Sequence, residues 1–221
     1  MPWSSLVCPR PGPGNETGRR MSLTVWTVGH STRPLPDFLE VLAAHRIELV
    51  ADVRRFPGSR SQPQYQQPTL EAALPGAGIG YIWLPDLGGR RQPATSTPNT
   101  TWRHPSFRGY ANHIAGEEFA AGLLELLTLA WGLRTAVMCA EILWWRCHRR
   151  MIADVLVSLG PVSFISGMAQ RLRRIGCGLR PTWFVACSAI CRRVSRWCSA
   201  YSAYGEGGRS PRVSSRPSSR W

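Results

Sequence analysis

The residues best suited to chemistry are concentrated in one stretch, CAEILWWRCHRR at 139–150. Cys139 follows an apolar run and precedes a polar turn and a helical pattern. The turn's backbone N–H groups, nearby arginines and a helix amino end would all favour its thiolate, so it is a candidate nucleophile. Glu141 and His148 are the residues beside it that can move protons. Six residues separate Cys139 from Arg146, one more than in the anion-cradling cysteine loop of phosphatases. Cys147 could pair with Cys139 as a redox couple, or join Cys139, His148 and His30 around a metal. The spacing fits no recognised zinc pattern, so no metal is expected. The plainer alternative is a small buried cysteine at a strand end with no chemistry.

Two further polar sets follow apolar runs. Gly29, His30 and Ser31 close the β-rich run LTVWTVG, and Asp52, Arg54 and Arg55 close a second one at 47–53. Arg54, Arg55, Arg108, Arg146 and Arg149 facing one crevice would need an anion to relieve their repulsion, and phosphate is the obvious one. In the competing arrangement Asp52, Asp86 and Glu141 neutralise them in internal ion pairs. Trp144 and Trp145 beside the turn could stack on a base or simply pack in the core.

These residues need elements to position them. Strand runs at 23–29, 47–53, 79–84 and 134–139 alternate with helical periodicity at 37–45, 69–74, 105–131 and from Cys147 onward, with a break expected at Gly116. The first strand, helix and strand make a βαβ unit with parallel pairing. The expected class is therefore α/β, a Rossmann-like parallel or mostly parallel sheet with helices on both faces. Parallel strands present their carboxyl ends on one edge, so the three polar sets are expected to converge there. The run at 90–104, rich in Pro, Thr and Arg, reads as a solvated surface loop rather than a lid, and 161–165 as a fifth strand.

Composition limits the alternatives. The net charge of +14 is uneven: sixteen arginines face twelve acids up to Gly160, but eleven face only Glu206 beyond it. There is no lysine, which fits a coding bias toward arginine better than a selected polyanion surface. Seven cysteines without a paired framework suit a reducing cytoplasm. No apolar run approaches the roughly 20 residues that span a bilayer, so no membrane association is expected. Residues 1–22 read as a flexible extension, with Met21 an alternative start, 23–165 as the domain, and 166–221 as a largely disordered Arg/Ser/Cys-rich tail.

TVGHS at 27–31, DVRRFPGSR at 52–60, YIWLPDLGG at 81–89, SFRGYA at 106–111 and MCAEILWWRCHRRMIADVL at 138–156 occur in an order that closely resembles the bacterial and archaeal family called domain of unknown function 488. The resemblance covers about 24–162. It implies a compact Rossmann-like α/β domain and brings no established activity. Family members carry Pro where Trp144 stands here, and a His-Ile pair with a short acidic close after the next strand. This chain instead runs into its arginine-rich tail, which reads as a changed reading frame or a replaced C-terminus.

Two functions follow as expectations. One is an enzyme acting on a phosphate-bearing or nucleotide-like small molecule, with Cys139, Glu141, His148 and His30 catalytic, Arg54, Arg55, Arg108 and Arg146 binding the anion, and Asp52, Ser31 and Cys147 in support. The other is a non-catalytic nucleic-acid or nucleotide-binding module. No motif names a cofactor, and none indicates an oligomeric state.

Overall fold

The computed structural model describes residues 23–94, 99, 102–159 and 162–166. Five strands form one sheet: β1 (Leu23–Gly29), β2 (Leu49–Asp52), β3 (Gly80–Trp83), β4 (Thr135–Cys139) and β5 (Val162–Ser166). Their order is β3-β2-β4-β1-β5, and every pairing is parallel. The helices are α1 (Leu35–Ala44), α2 (Gln67–Gly76), α3 (Pro105–Ile114), α4 (Glu117–Gly132) and α5 (Arg149–Ser158). This is the expected parallel α/β architecture. The fifth strand is where the sequence places it, whereas residues 1–22 and 167–221 lie outside the described residues.

One pairing differs from expectation. β1 and β2 belong to one βαβ unit, yet β4 lies between them and pairs with both. β4 is buried at all five positions, as its unbroken apolar run requires of a central strand covered on both faces.

The core divides by side-chain alternation. Val28, Val50, Ala136 and Met138 pack with Phe38 and Leu42 of α1 and Leu70 and Leu74 of α2. Val25, Ala51, Val137 and Cys139 pack with residues of α3, α4 and α5 on the other face. The topology explains the division. Connections through α1 and α2 run toward β3, those through α3, α4 and α5 run back toward β5, and right-handed crossovers in opposite directions put their helices on opposite faces. β1 and β4 are neighbours whose outgoing chains leave in opposite directions. Their carboxyl ends are a topological switch point, the crevice where open α/β sheets bind ligands.

Candidate functional site

At this switch point Gly29 is in register with Cys139, and the backbone continues the pairing beyond the strands. The His30 amide donates to the Cys139 carbonyl at 3.0 Å and the Ser31 amide to the Ala140 carbonyl at 2.9 Å. Ser31 holds a left-handed φ of 50° in this turn. Gly29 is required by close approach: a Cβ there would lie 2.7 Å from the Ile142 Cα, inside the turn that follows Cys139.

Beyond Cys139 the chain makes a turn, then a single 3-10 turn at Trp144–Arg146, and enters α5. Cys147 and His148 precede the helix rather than forming its first turn, with His148 at the capping position. This detour brings both residues back over Cys139. The two sulfurs and a ring nitrogen of His148 all lie within 4.8 Å of one another. Cys139 and Cys147 are buried and His148 is half-buried.

The hydrogen bonds orient the imidazole. His148 Nε2 is 3.0 Å from the Val53 carbonyl, which can only accept, so Nε2 carries a proton. In the neutral ring Nδ1 is then a lone pair, 3.5 Å from the Cys147 sulfur. Gly89 borders the same nitrogen, since a Cβ on it would come within 2.7 Å of Nδ1. Tyr110 meets the ring edge to face at a centroid distance of 5.1 Å and is anchored by donating to the Leu87 carbonyl at 2.8 Å.

Arg149 completes the cluster. Its Nε donates to the Cys147 sulfur at 3.4 Å, one terminal nitrogen donates to Thr27 Oγ1 at 3.0 Å, and the other donates to the Glu141 carbonyl. The residue is 1% exposed, and among the described residues no carboxylate forms an ion pair with it. The two sulfurs, within 4.8 Å of each other, influence one another's ionisation. Cys139 and the Arg149 guanidinium pull the Cys147 thiol down against the opposing effect of burial. Cys147 and burial together push the Cys139 thiol up. Of the two thiols, Cys147 is therefore the readier to ionise.

His30, Asp52 and Arg54 form a second cluster on the α1/α2 face. Arg54 is 6% exposed and Asp52 fully buried, and the guanidinium meets the carboxylate at 2.5 Å through one terminal nitrogen and at 2.9 and 3.0 Å through Nε. Tyr81 adds a hydroxyl donor to Asp52 at 2.7 Å. Burial disfavours the Arg54 cation, but Asp52 more than offsets this and the net shift is upward. Arg54 also lies 3.2 Å from His30 Nε2, whose ring stacks on Tyr65 at 3.9 Å and contacts the Ser31 carbonyl through Nδ1 at 2.9 Å. Burial lowers His30 to about 4, so the ring is neutral, donating from Nδ1 and accepting at Nε2.

The three expected polar sets thus reach one sheet edge but resolve into two clusters on opposite faces. Cys139, Cys147, His148 and Arg149 meet on one side, and His30, Asp52 and Arg54 on the other. The remaining candidates stand apart. The Glu141 side chain faces solvent and caps its own turn by accepting from the Leu143 amide at 3.2 Å. Arg146 is exposed; Arg55 is half-buried and donates to the Arg90 carbonyl at 3.2 Å. Arg108, on α3, donates to the Arg103 carbonyl at 3.4 Å. Sequence reasoning placed Arg149 only in a general arginine set and gave Gly89 and the Val53 carbonyl no role. Arg149 carried one available signal: a cation in the first turn of a helix opposes the dipole there and implies a nearby anion.

Among the described residues no helix is long and apolar enough to cross a membrane. Comparison with curated proteins finds no match. The family model described as "Domain of unknown function DUF488" matches residues 34–156, from the entry of α1 through most of α5 and including both clusters' Asp52, Arg54, Cys139, Cys147 and His148, and the chain belongs to that family.

Proposed function

We propose that this protein is a cysteine-dependent enzyme acting on a small phosphate-bearing or nucleotide-like molecule at the carboxyl ends of its strands, with Cys147 rather than Cys139 as the nucleophile. One observation carries the reading: Arg149 is buried with no carboxylate against it among the described residues, and it donates directly to the Cys147 sulfur. An uncompensated buried cation is expensive, and a thiolate at Cys147 neutralises it.

In the step this supports, the Cys147 sulfur forms a bond to the substrate's electrophilic atom. The leaving group departs with its electron pair and takes the Cys139 thiol proton. Water then gives a proton to His148 Nδ1, its oxygen displaces the Cys147 sulfur, and the proton passes from His148 to Cys139 to restore the starting state. Arg55, Arg108 and Arg146, which meet no carboxylate among the described residues, are the arginines suited to holding an anionic group. Arg54 is less suited, because Asp52 occupies its Nε and one terminal nitrogen.

Residue-resolved alkylation with iodoacetamide at neutral pH tests the reading. Cys147 is expected to react faster than any cysteine of the denatured chain, and an intact-mass adduct with a phosphate-bearing electrophile should disappear in Cys147→Ser. Reaction of Cys147 no faster than in the denatured chain would remove the nucleophile. Nucleic-acid or nucleotide binding remains a second reading, favoured by Phe56 and Trp145, which are 62% and 51% exposed and each adjoin an arginine, Arg55 and Arg146. It predicts salt-dependent binding that survives Cys147→Ser and weakens in Trp145→Ala.

A further inference from the structure

We propose that Cys139, Cys147 and His148 form a three-ligand site for a soft divalent cation such as zinc, leaving a fourth position for water or a solute. Their ligand atoms already lie within 4.8 Å of one another. The Cys147 sulfur and His148 Nδ1 are 3.5 Å apart. Two ligands of a tetrahedral zinc, with sulfur at about 2.3 Å and nitrogen at about 2.0–2.1 Å, stand about 3.5 Å from each other, so this edge of the site is preformed. Two sulfurs on such an ion are about 3.8 Å apart, which asks for a shift of at most about 1 Å at Cys139.

The surroundings match a metal-ligating histidine. His148 is held through Nε2–H by the Val53 carbonyl at 3.0 Å, which directs the Nδ1 lone pair at the sulfurs. Gly89 keeps the space beside Nδ1 clear, where any other residue would bring a Cβ to 2.7 Å. The Arg149 Nε–H to Cys147 is an outer hydrogen bond to a ligand sulfur. Two thiols and an imidazole select zinc or a similarly soft ion over magnesium or calcium, which take oxygen ligands. His30 is not the fourth ligand, because its ring lies on the opposite face against Tyr65.

Binding requires Cys139 to release its thiol proton to solvent so that both sulfurs can ligate. A bound ion would occupy the sulfur electrons that the nucleophile needs, so loaded and reactive states exclude each other. The metal site does not rest on the nucleophilic reading.

The test uses the full chain, stripped with a chelator, titrated with zinc against a chromophoric competitor and probed by residue-resolved iodoacetamide alkylation. The wild type is expected to bind one more equivalent than Cys139→Ser, and His148→Ala to lose at least about tenfold in affinity at that site. Zinc is also expected to protect Cys139 and Cys147 in the wild type, whatever happens at the other five cysteines. Equal binding by wild type and folded variants, or alkylation of Cys147 unchanged at saturating zinc, overturns the site. Fast metal-free alkylation without zinc protection would remove the metal site and leave the nucleophile standing. Zinc protection of a slowly reacting Cys147 would do the reverse.

Discussion

Arg149 donates from Nε to the sulfur of Cys147 at 3.4 Å while remaining 1% exposed, two residues away in the chain and at the first position of α5. Burial and the amino-terminal dipole both oppose a cation there. Its other donors go to the Thr27 hydroxyl and the Glu141 backbone carbonyl, both neutral, so among its described hydrogen-bond partners the sulfur is the group able to supply negative charge.

Arg149→Met should separate the charge from the packing. It removes donors to Thr27, Glu141 and Cys147, and a loss of about 3 kcal/mol is expected in urea unfolding. In the folded variant Cys147 should alkylate at least about tenfold more slowly at neutral pH. A wild-type rate in a folded Arg149→Met protein would show that the guanidinium does not hold the thiolate.

Stability should fall on mild acidification because of His30. Its folded pKa is lowered to about 4 by burial, so the unfolded chain takes up the proton first, near pH 6.5. The contribution is fully present above about pH 6.5 and is lost as pH falls toward 4, by up to about 3 kcal/mol. Urea unfolding of wild type and His30→Gln over this range should show a flatter pH profile for the variant. Parallel profiles would mean that His30 does not titrate in this way.

The Asp52–Arg54 pair should be costly to break from one side. Asp52→Asn leaves the buried Arg54 charge without its carboxylate and is expected to cost about 3–5 kcal/mol. Tyr81→Phe deletes one hydroxyl donor to the same carboxylate and should cost less, about 1.5–3 kcal/mol. Chemical denaturation of the two variants checks the order, and an equal cost would place the tyrosine hydroxyl on a par with the ion pair.

Gly29→Ala tests how the turn after Cys139 is positioned. The added Cβ would meet the backbone of Glu141 and Ile142, so the turn must move, at a cost of about 2 kcal/mol. Since the Glu141 carbonyl holds Arg149, altered alkylation of Cys147 should accompany the lower midpoint. A destabilised variant with unchanged Cys147 reactivity would separate the turn from the cluster.

The local chemistry of this chain was legible from its residues. The apolar run of β4, the change to helical period in α5 and the polar exits of β1 and β2 each reflect a local pattern, and so the parallel α/β class and the strand-edge location followed. Strand order was not legible. Insertion of β4 between β1 and β2 depends on contacts far apart in the chain, which leave no local periodicity. Strand number and direction also say nothing of which helices cover which face, so the polar sets could be brought to one edge by reasoning but not divided between two faces. The surroundings that separate Cys139 from Cys147 were likewise a matter of tertiary structure. Arg149 is buried only because Thr27 of β1, the Glu141 carbonyl and the Cys147 sulfur converge on it, and a buried cation draws charge onto the sulfur it touches.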